Sequence, residues 1–324
     1  MLRIGIVTLC STIITICLCP IVLTVARKAK AGQPILGYVT NHYSKSGTPT
    51  MGGIAFLISV CVVSIVANVG FSKTTVVVSM ATLGFGIIGF LDDFIKIKSH
   101  DNKGLTAVQK LIGQFGLSGI VGYYAYLQVG GTIRVPFSEL SFDLGFWAIP
   151  VYVLFFVGVV NFVNLTDGLD GLVSTSGCVY FITLGIIILL SETKILSYQN
   201  EMIGIAGFSF SIGLSLAVFY VLNSYPAKIF MGDTGSLGVG AGVASVALFS
   251  GNVLLFFIVG IVYCISGLSV VLQVCYYKLT KRRIFKMAPF HHHLERCGIH
   301  ENKIVAIYAL ITLCCGMAVI SFWR

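Results

Sequence analysis

The chain has 324 residues, of which 56% are hydrophobic and 10% charged, with a formal net charge of +9 at pH 7. A soluble domain carries about 25% charged residues, so this composition excludes an ordinary water-soluble fold and makes a lipid bilayer the expected solvent. The positive balance lies in short segments between apolar runs, as membrane orientation requires, and no nucleic-acid partner is expected.

A membrane-spanning helix needs about 20 mainly apolar residues. The first such run, Ile4 to Val25, is too long for a signal peptide and lacks a small-residue cleavage pattern. It is expected to be retained as the first span. Ten helical spans are predicted near 4–26, 52–70, 74–94, 111–128, 147–163, 174–191, 203–222, 236–250, 252–277 and 304–322. In lipid the backbone must satisfy its own hydrogen bonds, which favours helices. The alternating segments of a membrane barrel are missing. The fold class is therefore all-α and polytopic, with one integral membrane domain over residues 1–324. Between the fourth and fifth spans, Val129 to Leu144 reads either as a short β-hairpin or as an irregular loop. The ten cysteines include Cys10, Cys17, Cys19, Cys61, Cys264, Cys314 and Cys315 inside apolar runs, with no C-x-x-C pair. They read as small hydrophobes rather than metal ligands or redox centres.

Lys and Arg set the orientation. With both termini outside, 16 of the 21 basic residues face inward, among them Lys96, Lys110, Lys228 and Lys278 to Lys286. All six histidines and eight of the twelve acids fall on the same cytoplasmic side. Orientation alone gives Asp and His no reason to gather there, so chemistry is expected at that face.

Four constellations carry this expectation. Asp92 and Asp93, followed one turn later by Lys96, close the third span. Carboxylates at the edge of an apolar helix are costly and usually functional. Adjacent helical positions point about 100° apart, so the two acids can address different partners, although a salt-bridged helix end is the plainer alternative. The segment Asn161 to Gly171 (NFVNLTDGLDG) closes the fifth span with two acids, two amides and two glycines. Asp167 and Asp170 would share a face if it were helical. Asn223 to Ser236 (NSYPAKIFMGDTGS) places Asp233 after Gly232 and just before an apolar run. A backbone nest near a helix start suits phosphate, an acid there suits a divalent ion, and Phe230 could stack on a base. Lys281 to Glu295 holds the triplet His291, His292, His293, which diverge too much on a helix to share one metal but can line a polyanion pocket. Acids that hold Mg²⁺, beside bases and amides that hold phosphate, point to phosphoryl transfer at a lipid surface.

TPTMGG (Thr48 to Gly53), LDDFIK (Leu91 to Lys96), NFVNLTDGLDGL, MGDTGS and MAPFHHHLE together resemble the phospho-N-acetylmuramoyl-pentapeptide-transferase family of the polyprenyl-phosphate N-acetylhexosamine-1-phosphate transferase superfamily. The resemblance covers essentially the whole chain. It implies transfer of phospho-N-acetylmuramoyl-pentapeptide from UDP-MurNAc-pentapeptide to undecaprenyl phosphate, giving lipid I and UMP with Mg²⁺ as cofactor, in the bacterial plasma membrane. It implies Asp92, Asp93 and Asp233 as catalytic, with Asp233 as metal ligand. It implies Asn164, Asp167, Gly168, Leu169 and Asp170 as a uracil-contacting loop and Phe230 as a stacking ring. Lys96 and Lys110 match phosphate-side lysines. Lys45, Thr50, Asn223, Ser236, Gln273, Ala288, His291 and His292 match positions that contact nucleoside inhibitors or support activity. A homodimer embedded among membrane lipids is also implied. A relative using UDP-N-acetylglucosamine and a secondary transporter of phosphorylated compounds are the alternatives. Transporters place their key acids near the midplane, whereas these acids sit at span ends.

Overall fold

The computed structural model describes residues 1–29, 47–99, 104–191 and 196–323. Lys45, His42, His100 and Asp101 lie outside the described residues. The chain is mostly helical: α1 (Leu2–Lys28), α2 (Gly53–Asn68), α3 (Lys73–Ser99), α4 (Ala107–Val129), α5 (Ala148–Thr166), α6 (Leu172–Leu190), α7 (Leu196–Asn223), α8 (Gly232–Phe249), α9 (Leu255–Val259), α10 (Ile261–Thr280), α11 (Phe290–Arg296) and α12 (Glu301–Phe322). Among the described residues, seven helices are long and apolar enough to cross a membrane, and α2 is a shorter apolar one. Large apolar side chains such as Ile13, Val66, Ile87, Ile120 and Leu310 point outward. A polytopic membrane protein is the architecture this surface fits.

Each predicted span coincides with a helix except 252–277, which is broken at Gly260 between α9 and α10. A Cβ at Gly260 would press on the Phe256 carbonyl oxygen, so the chain bends where glycine leaves room. Between α4 and α5 the chain does form a hairpin, in which β1 (Thr132–Arg134) pairs antiparallel with β2 (Ser141–Asp143) and Ile133 faces Phe142. The segment around the three histidines, expected as loop, contains the short helix α11.

The centre of the bundle is α8, built from Gly, Ala, Ser, Val and a few larger apolar residues. Every residue from Thr234 to Phe249 is buried, as expected of a helix without a polar face. Helices α3, α5, α6 and α2 pack around it. Small residues let backbones approach, and they do so at three contacts. A Cβ at Gly235 would strike Gly53 at the start of α2, one at Gly89 of α3 would strike the Asp233 carbonyl, and one at Gly240 would strike the Val160 backbone of α5. On the far side of the bundle, Glu201 of α7 accepts the Thr74 amide at 2.9 Å and the Ser72 hydroxyl at 2.6 Å, satisfying the start of α3. These contacts fix the ends of α3, α5 and α8 relative to one another.

Overpacking a close helix contact costs about 1–3 kcal/mol. Gly89→Ala is therefore expected to lower the thermal midpoint of the purified protein. Gly158→Ala, whose Cβ would meet nothing within 4 Å, is expected to leave it unchanged in the same thermal scan.

Candidate active site

Three carboxylates from two helices meet where α3 passes the start of α8. One ligand atom each from Asp92, Asp93 and Asp233 lies within 4.8 Å of the others. Asp92 and Asp93 are fully buried, and they do address different partners. Asp93 turns to α8: its Oδ2 accepts the Thr234 amide at 2.9 Å and the Thr234 hydroxyl at 2.8 Å, and its Oδ1 accepts the Asp233 amide at 3.2 Å. First-turn amides of a helix have no intrahelical acceptor, and an anion there also meets the positive end of the helix dipole. Asp93 thus caps a neighbouring helix.

Asp92 turns to the lysines. Lys96 Nζ, one turn along α3, lies 2.6 Å from Asp92 Oδ2 and 3.1 Å from Asp233 Oδ2. Lys110 Nζ of α4 lies 2.9 Å and 2.8 Å from the same two atoms. The other oxygen of Asp92 accepts the Leu105 amide at 2.7 Å. Gly104 has no room for a Cβ beside that carboxylate. Asn164 of α5 completes the cluster by donating Nδ2 to Asp233 Oδ1 at 2.9 Å and to Ser236 Oγ at 2.8 Å.

Thr50 and Gly232 adjoin this cluster. Gly232 adopts φ +73°, and a Cβ there would meet Asp93 Oδ2 and Thr50 Oγ1. The TPTMGG segment runs alongside: Phe230 donates its amide to the Pro49 carbonyl and accepts from the Gly52 amide, at 2.8 and 2.9 Å. The donor set of three carboxylates is all oxygen, which suits Mg²⁺. The ammonium groups beside it suit phosphate oxygens.

A second group of expected residues forms the adjoining wall. The helix α5 stops at Thr166, so Asp167 to Gly171 is a turn and Asp167 and Asp170 do not share a helical face. Burial, and then the carboxylates of Asp233, Asp93 and Asp170, push the Asp167 carboxyl up to about 8. Asp170 Oδ2 accepts the Ala227 amide at 3.0 Å, and Leu169 is buried. Asn223 Oδ1 accepts the Gly171 amide and the Ser174 hydroxyl, at 3.1 and 2.8 Å, while its Nδ2 donates to the Ile229 carbonyl at 3.0 Å. Gly168 faces the histidines, where a Cβ would meet Nε2 of both His291 and His292.

The histidines separate by role. His291 is fully buried, and neither ring nitrogen has a hydrogen-bond partner among the described residues. His292 Nδ1 lies 3.1 Å from Glu295 Oε2. His293 Nδ1 accepts the Lys286 amide at 3.1 Å. Gln273 of α10 accepts the Ile284 and Phe285 amides at 3.1 and 2.9 Å, so its carbonyl anchors the segment leading to Ala288 and α11.

Sequence reasoning passed over Thr234, Gln114 and Glu301. Thr234 supplies both amide and hydroxyl to Asp93. Gln114 Oε1 accepts from Asn161 Nδ2 at 2.7 Å, one turn from Lys110 and Asn164. Glu301 accepts the Asp170 amide at 2.5 Å.

Residues 75–251 match the family described as glycosyl transferase family 4, and residues 45–57 match the phospho-N-acetylmuramoyl-pentapeptide-transferase signature 1. A phospho-N-acetylmuramoyl-pentapeptide-transferase of Clostridium perfringens (strain SM101 / Type A) is 41% identical over 94% of this chain and 91% of its own. The enzyme of that name from Bacillus subtilis (strain 168) is 42% identical over 91% and 90%. The chain belongs to the phospho-N-acetylmuramoyl-pentapeptide-transferase family. In this family member the signature segment is the stretch that pairs with Phe230 beside the carboxylates, so the matched signature and the acidic cluster are one place in the fold.

Burial, and the neighbouring His292, hold the His291 imidazole well below its ordinary range against the pull of Glu295. A lowered pKa leaves the ring neutral above it. In spectra of protein labelled with 15N-histidine, the ring signals lost in His291→Gln are expected to keep neutral-imidazole shifts from about pH 8 down to about pH 6, where an unperturbed histidine would gain a proton.

Proposed function

We propose that the protein transfers phospho-N-acetylmuramoyl-pentapeptide from its UDP conjugate to undecaprenyl phosphate, releasing UMP and forming lipid I at the inner face of the bacterial plasma membrane. The observation that carries this reading is the cluster of Asp92, Asp93 and Asp233 with Lys96 and Lys110, in a chain so similar to transferases of that name.

Ten spans are proposed, namely α1 to α8, α9 with α10 as one broken span, and α12, as a single transferase domain with both termini outside. The inward excess of Lys and Arg supports this orientation and puts the carboxylates on the cytoplasmic side. A homodimer within the lipid is part of the proposal, consistent with the apolar outward faces of α1 and α12.

Two polyanions must meet for the reaction to proceed, so positioning and charge neutralisation dominate catalysis. Asp233, with Asp92 and Asp93 in reach, would hold Mg²⁺. When bound, this ion supplies charge neutralisation across the pyrophosphate. Lys96 and Lys110 bind phosphate oxygens of the two substrates. A phosphate monoester has a second pKa of about 6, so the lipid phosphate arrives mostly as a dianion, and Asp92 or Asp93 takes up the residual proton. The lipid phosphate oxygen then bonds to the sugar-linked phosphorus while the bond to the UMP oxygen breaks. Asn164 orients Asp233 through this exchange. The turn Asp167 to Asp170 and Phe230 hold the uracil, with Thr50, Gly232, Ser236 and Asn223 shaping the floor. His291 to His293, Ala288 and Gln273 form the opposite wall, and Lys45 is proposed as a further donor-binding residue.

The test is radiolabel transfer from UDP-MurNAc-pentapeptide to undecaprenyl phosphate with and without Mg²⁺, run beside UDP-N-acetylglucosamine. Label should pass only from the muramoyl donor and only with the ion. Removing a preorganised charge at a reacting centre costs about 10²–10³ in kcat, and at least that loss is expected for Asp233→Asn. Full Mg²⁺-dependent activity in that variant would remove Asp233 as the metal ligand.

A further inference from the structure

We infer that Glu301, the first residue of α12, is a positioning residue for donor binding. It fixes the turn Asp167 to Gly171 that faces His291 and His292. This inference rests on the donor reading above and adds a residue outside the cluster of Asp92, Asp93 and Asp233.

Glu301 is 6% exposed and Asp170 5% exposed. The Glu301 Oε1 atom accepts the Asp170 amide at 2.5 Å across 131 positions of sequence. A buried carboxylate is retained where its hydrogen bonds compensate its desolvation, and a bond to a charged acceptor is among the stronger kinds. The bonded amide belongs to the Leu169–Asp170 peptide, whose neighbour Gly168 lies against both Nε2 atoms. A shift of this peptide would move Gly168 relative to the histidine wall.

The start of α12 also braces the other side of the pocket. The His300 ring meets Tyr225 edge-on, with centroids 5.4 Å apart, and His300 Nδ1 accepts the Asn302 amide at the helix start. Tyr225 lies in the segment that leads to Phe230 and Asp233. Asp170 Oδ2 ties the same segment through the Ala227 amide. The two chain segments of the donor pocket, 167–171 and 223–230, therefore converge on one helix terminus. Glu301 acts on the turn through its bond to the Asp170 amide, so its removal is expected to act on donor affinity rather than on the ion.

The experiment compares Glu301→Ala and Glu301→Gln with the wild type. The readouts are donor KM, kcat, Mg²⁺ dependence and amide hydrogen exchange of the peptide spanning 167–172. Loss of a hydrogen bond to a charged acceptor is worth a factor of about ten or more. Glu301→Ala should raise donor KM by about that factor, leave kcat and Mg²⁺ dependence near wild type, and speed exchange in the peptide. Glu301→Gln keeps a carbonyl oxygen at the acceptor position, so it should restore most of the affinity and the slow exchange. Wild-type KM and exchange in Glu301→Ala would overturn the inference. So would a loss confined to kcat and equal in both variants, which a merely structural role would give. If Glu301→Ala does not fold, Glu301→Met, which removes the acceptor but keeps the bulk, takes its place: a raised KM with faster exchange upholds the inference, and wild-type KM and exchange overturn it. Wild-type protein that releases no UMP from the donor would refute the transferase reading instead, and the exchange data would still judge the bond.

Discussion

The acidic centre is held in shape by a carboxylate that caps a helix it does not belong to. Asp93 projects from the second half of α3 and accepts first-turn amides of α8. Both parties need the bond. The amides at a helix start lack intrahelical acceptors, and a buried carboxylate without donors is costly. The exchange places Asp233 one residue inside α8, with its side chain directed at Lys96 and Lys110. Without Asp93, Asp233 would lose the amide bond that sets its backbone, and the lysines would lose the second of their two acceptors. The close approach of Gly89, one turn earlier on α3, to the Asp233 carbonyl serves the same docking.

Charge is balanced around this frame. Asp92 and Asp233 share two ammonium groups within 2.6–3.1 Å, and Asp93 is compensated by backbone amides. Buried ions are tolerable when paired with good geometry. The site can therefore hold three acids in a largely apolar bundle and still offer positive groups to incoming phosphates. On the other wall, His291 is held toward its neutral form and the Asp167 carboxyl is pushed up, which lowers the charge where the donor's flat base is proposed to lie.

Much of this was legible in the sequence because a bilayer imposes simple rules. Apolar runs of sufficient length announced the helices, and the grouping of titratable residues announced the site. The division of labour between Asp92 and Asp93 followed from their angular separation on one helix. The features that escaped are those set by tertiary contact. The break at Gly260 hides inside an apolar run with no proline, and glycine alone does not mark a bend. The helix α11 is seven residues long, too short for periodicity to reveal. Gln114 is one of three glutamines in α4, and only its contact with Asn161 sets it apart. Asp167 and Asp170 would share a face only in a helix, and the helix ends at Thr166 where the glycine-rich turn takes other conformations, with Gly171 at φ +81°.

The bond from Glu301 to the Asp170 amide also orders events during biosynthesis. A nascent membrane protein delivers its helices to the translocon in chain order. The acids of α3, the amide of α5 and the start of α8 are all in the bilayer before α12 emerges. Until α12 inserts, the turn after α5 lacks its distant acceptor, and the donor pocket has one wall unbraced. The growing chain can thus bring its three clustered carboxylates together early, but the turn that faces the histidines gains its last brace only when this late helix takes its place.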